Sequence, residues 1–357
     1  MNRSLQSLGI GALAAAGLLG SLSAHAAARS FTLYMTEADK SITIPLASAN
    51  YVRTFWVEGF TDVAGRAPEI SGVKLWANEG DTISLTVYNN TAEAHGFQIS
   101  NGVVANTSIA AGTNKTFNFN APPAGSYIYY DPNTDAQTKV PNRAAGMYGA
   151  MIIYPTGQSP GLAGNLWSGG PSYKADFTWV LTDFDKRTNA ADKAGTAAPV
   201  PYKATYAFIN GDFGIHAMKN TTISPVANVN DTLAIRVVNA GMIPHPLHFH
   251  GYHGEVTRVN NVIQNRVLEK DVIDVPPMTT MDLIFHINQK GIYIIHDHTG
   301  MMVTQDGIYA EGMIAEFDVC KKEGGLIAND KYCPIPTIGS GGWSSGGGGG
   351  WGGGWGG

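Results

Sequence analysis

Hydrophobic residues fall in short runs, about four to eight residues long, that end at Gly, Pro, Asn or Asp. The segments ISLTVYNN (83–90), TFNFN (116–120), SYIYYD (126–131), AMIIYP (150–155), LAIRVVNA (233–240), MDLIFHI (281–287) and GMIAEFDV (312–319) read as β-strands. Some alternate apolar with polar and some are apolar throughout. Long helical periodicity is scarce. The pattern predicts an all-β fold built from Greek-key β-sandwiches.

The strand pattern occurs twice. NEGDTISLTVYNN (78–90) matches NVNDTLAIRVVNA (228–240), AGSYIYYDP (124–132) matches KGIYIIHDH (290–298), and GMYGAMIIY (146–154) matches GIYAEGMIAEF (307–317) with a small insertion. A repeat of this size implies two duplicated domains. The expected division is 27–155 and 173–320, joined by a linker at 156–172 that is rich in Gly, Ser and Pro.

The candidate chemistry is uneven between the two. Of the 10 histidines, seven lie between positions 245 and 298: His245, His248, His250, His253, His286, His296 and His298. Alternate residues of a strand share a face. His248 and His250 in PHPLHFHG therefore point one way, with Leu247 and Phe249 on the other. His296 and His298 share a face, with Asp297 opposite. Two such strands side by side present four imidazoles, a donor set suited to copper, zinc, iron or nickel. His253 and His216 lack the paired spacing and fall outside the set.

These segments resemble a known family. AFINGDFGIH, IRVVN, HPLHFHG, the HDH strand and the closing GMIAEF are similar to the last cupredoxin domain of multicopper oxidases. The resemblance spans roughly residues 50–320 and is greatest to the two-domain members, which include small laccases and lie close to copper nitrite reductases. It implies copper as cofactor, His245 as a type 1 ligand, and His248, His250, His296 and His298 as ligands of a copper cluster. It also implies a homotrimer, with this patch facing the first domain of a neighbouring subunit.

The departures from that family are informative. The type 1 cysteine is replaced by Asp297, and the second type 1 histidine by Met302, so the thiolate that a blue copper site requires is missing. In the first domain His95 remains, but Gln98 and Ser100 occupy the cluster positions, and Tyr130, Asp131 and Pro132 stand where His-Cys-His would be. A trinuclear laccase mechanism is therefore not expected. The vacated type 1 pockets comprise His245, Asp297 and Met302 in one domain and His95 and Asp131 in the other. A buried carboxylate must be paired, so each aspartate is expected to bond its domain's histidine: His245–Asp297 and His95–Asp131. A mononuclear hard-metal site of His245 and Asp297 is the rival expectation.

Three functions remain open. The first is an oxidoreductase with a type 2-like copper centre, taking electrons directly from a small donor. The second is a copper-binding protein without turnover, with Met301 and Met302 as soft ligands beside His298. The third is a structural protein on a cupredoxin scaffold.

Composition and the chain ends place the molecule. Net charge is −5 without basic runs, which disfavours nucleic acid as a partner. Residues 1–26 combine Arg3, a short Ala/Gly-rich apolar run and Ala24-His25-Ala26, which read as a secretory signal peptide and not a membrane anchor. A periplasmic, secreted or cell-surface protein is expected. Cys320 and Cys333 bracket KKEGGLIANDKY, which in an exported protein suggests a disulfide-closed loop. The remaining stretch to 357 is Gly-rich with Trp343, Trp351 and Trp355, the composition of a disordered tail.

Overall fold

The structure is a computed structural model that describes residues 26–45 and 50–320. The signal segment, Cys333 and the Gly/Trp tail lie outside the described residues. The first half holds β1 (Ala28–Pro45), β2 (Asn50–Thr61), β3 (Leu75–Asn78), β4 (Thr82–Asn89), β5 (His95–Ile99), β6 (Val104–Ile109), β7 (Asn114–Asn120), β8 (Gly125–Tyr130) and β9 (Tyr148–Tyr154). A ribbon of β10 (Gly164–Asn165) and β11 (Ser172–Tyr173) follows within the connecting segment. The second half holds β12 (Ala175–Phe184), α1 (Lys186–Lys193), β13 (Tyr206–Ile209), α2 (Gly214–Lys219), β14 (Thr232–Asn239), β15 (His245–Phe249), β16 (Gly254–Val259), β17 (Val262–Lys270) and β18 (Val272–Val275). It continues with β19 (Thr279–His286), β20 (Ile292–Asp297), β21 (Thr304–Gln305), β22 (Ile308–Tyr309) and β23 (Ile314–Asp318).

Each half is a sandwich of two sheets, and the pairings correspond. The first half orders its strands β2-β1-β4-β7 and β3-β9-β8-β5-β6; the second orders them β13-β12-β14-β19-β16-β17 and β18-β15-β20-β23. β1 lies parallel to β4 as β12 lies parallel to β14. β4 is antiparallel to β7 as β14 is to β19. β5 pairs with β8 as β15 pairs with β20. The parallel β3–β9 pairing survives in the second half as one bridge, Val226 to Asp318. The sequence repeat is thus a repeat of topology.

Burial explains where the two copies differ. β4 alternates, with Ile83, Leu85 and Val87 turned inward. β14 is buried on both faces, which accounts for its nearly continuous apolar run. One face joins the second core beside Trp179, Phe249 and Phe285. The other meets the first half: Val180, Val238 and Ala240 pack with Ile128, Tyr148, Ile152 and Tyr154. Each such aliphatic side chain contributes about 1.5–3 kcal/mol when taken from water. Arg236, also on β14, is 0% exposed and is tied to Asp176 at 3.0 Å, with Asp282 at 3.7 Å.

The second half carries an insertion that the first lacks, the β16–β17 hairpin. Asn260 and Asn261 make its two-residue turn with φ of 49° and 65°, the left-handed pair that such hairpins favour. Asn261 accepts from Ser126 N and donates to Ser126 O, both at 2.9 Å, and so docks the turn onto β8. Gly125 permits this approach, since a Cβ there would lie 2.2 Å from Asn261 Oδ1. The connecting segment also packs: Leu166 and Tyr173 are buried with Ala234 and Ile284. Among the described residues no helix is long and apolar enough to cross a membrane.

Candidate metal centre

β15 and β20 build the centre. Alternation turns His245, Leu247 and Phe249 inward and leaves His248 on the opposite face, half-buried. His248 stands directly across from His296 in the β15–β20 register, as Leu247 stands across from Asp297. His250 and His298, just past the strand ends, are exposed. The structure brings all four rings together. Ring centroids lie 4.5 Å apart for His248–His250, 5.0 Å for His248–His298, 5.3 Å for His250–His296 and 5.8 Å for His296–His298. His253 is exposed, and His216 packs on Phe213 in α2.

Two details bear on metal binding. His296 Nδ1 lies 3.0 Å from the Asp297 carbonyl oxygen. A carbonyl only accepts, so Nδ1 carries the proton, and the neutral ring keeps its lone pair on Nε2. That Nε2 stands 3.2 Å from His250 Nε2. Two ligand bonds of about 2.0 Å at a near-tetrahedral angle separate their nitrogens by about 3.3 Å. Burial, and then the neighbouring imidazoles, hold His248 and His250 below the usual histidine pKa, which favours the neutral form that metals require. His248 Nδ1 is buried without a partner. The rings of His248 and His298 are stacked at 14°. Among the described residues, no three His, Cys, Asp or Glu donors already surround one point as a bound ion would demand. The patch fits a metal in donor type and in the His250–His296 spacing, and the remaining rings must turn to complete a shell.

Beneath the patch, the structure places the two His–Asp pairs. His245 Nδ1 donates to Asp297 Oδ2 at 2.7 Å, and His95 Nδ1 donates to Asp131 Oδ2 at 2.9 Å. The other oxygen of each aspartate accepts the backbone N–H two residues on, from Thr299 at 2.8 Å and Asn133 at 2.9 Å. Thr299 Oγ1 adds a second bond to Asp297 in one half, and Asn142 Nδ2 a second to Asp131 in the other. Met302 is 2% exposed and packs in the second core, so Met301, at 63%, is the soft donor left at the surface beside His298.

The far nitrogens of the two histidines meet different neighbours, which no motif disclosed. His245 Nε2 lies 3.3 Å from Asp183 Oδ2 on β12, so this imidazole sits between two carboxylates. Burial opposes its charge, but the hydrogen bonds to Asp183 and Asp297 outweigh burial and push its pKa up to about 9. His95 Nε2 lies 3.9 Å from Glu58 Oε2. Burial, then the charge of Asp192, pushes Glu58 up to about 8, and burial with Asp135 pushes Asp192 up to about 7.

The chain matches known proteins over both halves. Residues 189–319 and 53–158 match two family profiles, each described as multicopper oxidase. Among solved structures, a blue copper oxidase from Nitrosomonas europaea aligns at 19% identity over 81% of this chain and 85% of its own, with a TM-score of 0.62. The multicopper oxidase mgLAC aligns at 22% identity over 86% and 92%, also with a TM-score of 0.62. A copper nitrite reductase from Nitrosomonas europaea aligns at 17% identity over 81% and 94%, with a TM-score of 0.54. No curated protein sequence matches the chain. Identities this low speak to the shared two-sandwich cupredoxin fold.

Proposed function

Since the chain belongs to the multicopper oxidase family, we propose that it is an exported copper oxidoreductase whose metal is held by His248, His250, His296 and His298. Copper bound there would supply one-electron chemistry. The observation that carries this reading is the His250 Nε2 to His296 Nε2 separation of 3.2 Å, with the proton of His296 committed to the Asp297 carbonyl. The chain supplies two nitrogens at ligand spacing and two further imidazoles, His248 and His298, to complete the set. It supplies no thiolate relay: the type 1 position is a closed salt bridge of Asp297 and His245, both 0% exposed. Electrons must therefore come from a small donor reaching the patch itself, and the exposed edge formed by His250 and His298 leaves room for one. In a homotrimer the same edge would face a neighbour's first half, and the donor would reach the patch along that junction. The proposal of export rests on the signal-peptide pattern read in residues 1–26.

The test is copper content of the purified full chain after loading and dialysis, followed by oxygen uptake with phenolic, ferrous and cuprous donors. Bound copper with turnover is expected. Chain without copper would overturn the reading. Copper without turnover would favour the second reading, a copper-holding protein, which the exposed thioether of Met301 beside His298 supports.

A further inference from the structure

Away from the imidazole patch, buried polar atoms without partners gather where α1 covers β2. Trp56 and Glu58, two residues apart on β2, share a face. Asn189 Nδ2 donates to Trp56 O at 2.7 Å and fixes α1 above them. Thr188, Asn189 and Asp192 lie on one side of α1 by their three- and four-residue spacing. Thr188 Oγ1, Asn189 Oδ1 and Asp192 Oδ2 are each buried without a hydrogen-bond partner. His95, only 4% exposed, directs its Nε2 at Glu58, and that nitrogen is also without a hydrogen-bond partner. Buried polar groups are ordinarily satisfied, so this concentration calls for something to fill it.

We propose that this pocket is a second metal site, in which His95 Nε2, Glu58 and Asp192 hold one divalent cation of the Mn²⁺ or Zn²⁺ class. Asp131 already does what a carboxylate behind a metal-bound histidine does: it takes the Nδ1 proton and aims Nε2 outward. Asn142 and the Asn133 N–H hold that aspartate in place. The 3.9 Å between His95 Nε2 and Glu58 Oε2 is spanned by two bonds of about 2.1 Å meeting at an angle of about 135°. The donors do not yet surround one point among the described residues; the side chains of Glu58 and Asp192 would have to turn to complete a shell around His95 Nε2. The mixed set of one nitrogen and two carboxylate oxygens suits a borderline or hard ion better than Cu(I). The charge of Glu58, which favours a proton on His95, would favour a cation in its place. The second half offers no counterpart, because His245 Nε2 already meets Asp183 at 3.3 Å.

The experiment uses the full chain carrying His250→Ala and His296→Ala, so that the imidazole patch is silent. It is titrated with MnCl₂ and with ZnCl₂ by calorimetry. One ion per chain is expected. Affinity should fall at least tenfold on adding Asp192→Asn or Glu58→Gln, and about 10–100-fold on adding Asp131→Asn, which releases the histidine's support. Circular dichroism and melting without metal verify folding. Should Asp131→Asn fail to fold, the other two substitutions, which remove charge with little change in volume, decide the matter. Absence of saturable binding for both ions would overturn the proposal. So would binding that neither Asp192→Asn nor Glu58→Gln weakens.

Discussion

β5 and β8 in the first half and β15 and β20 in the second are the same pair of strands in the same register. Gln98 faces Tyr130 where His248 faces His296. Below each pair stands the same buried His–Asp bond, with the same backbone N–H holding the aspartate. The inward residues are shared and the outward ones are not. In each sandwich the inward pair needs no further partner for its bonded atoms, since a buried carboxylate and imidazole satisfy one another. The outward residues bear no such load and set the chemistry: four imidazoles on one copy, amide and phenol on the other.

The comparison breaks most sharply if copper binding does not belong to the second half. Replacing His250 and His296 with alanine should lower copper affinity at least a hundredfold and remove stoichiometric copper. Gln98→Ala with Tyr130→Phe should leave it unchanged; metal analysis after dialysis reads both. Next in size are the buried pairs. Asp297→Asn should lower unfolding stability by roughly 3 kcal/mol, because it weakens a fully buried charged pair, while copper content stays as it was. Loss of a bound metal would instead favour a hard site of His245 and Asp297. Asp131→Asn should act on stability in the same direction, and denaturant melts that find either substitution neutral would mean the two pairs are not equivalent.

The third test is pH. His245 is held protonated in the folded state to about 9, above its unfolded value near 6.5. Its stabilisation is complete below about pH 6.5 and is lost as pH rises through 9, up to about 3 kcal/mol. Glu58, raised to about 8, adds a cost that grows as pH climbs from the unfolded carboxylate range towards 8. Melting temperature should therefore fall from weakly acidic to alkaline pH. Glu58→Gln should remove its share of that fall, which ends near pH 8, and leave the share of His245 between 6.5 and 9. A midpoint that rises over this range would contradict both assignments. The smallest effect belongs to the hairpin: Asn261→Ala removes two hydrogen bonds to β8 and should cost about 1–2 kcal/mol, read by denaturant melts.

Strand alternation carried much of this in plain view. It put His248 and His250 on one face, Asp297 on the other, and the repeat pointed Asp131 at His95. The partners that come from elsewhere in the chain were hidden. Asp183 lies 62 residues from the histidine it faces, and its strand, ADFTWVLTDF, has no motif around it. Glu58 and Asp192 feel one another's charge only because α1 folds back over β2, and a short helix of low apolar content gives no signal of what it covers. The apolar run of β14 marked a strand, but whether its second face met solvent or the other half depended on packing between the copies. The docking of the Asn260-Asn261 turn onto Ser126 left no mark in the strand pattern.

The contacts between the copies make the connecting peptide a matter of concentration more than of shape. Ile128, Tyr148, Ile152 and Tyr154 already have an apolar counterface in Val180, Val238 and Ala240, and Asn261 keys into Ser126 independently of the segment 156–172. Joining the halves in one polypeptide raises the local concentration of each for the other, and fixes their ratio at one to one. Made as two separate chains, the copies are expected to reassociate through these faces, at the weaker affinity of an untethered pair.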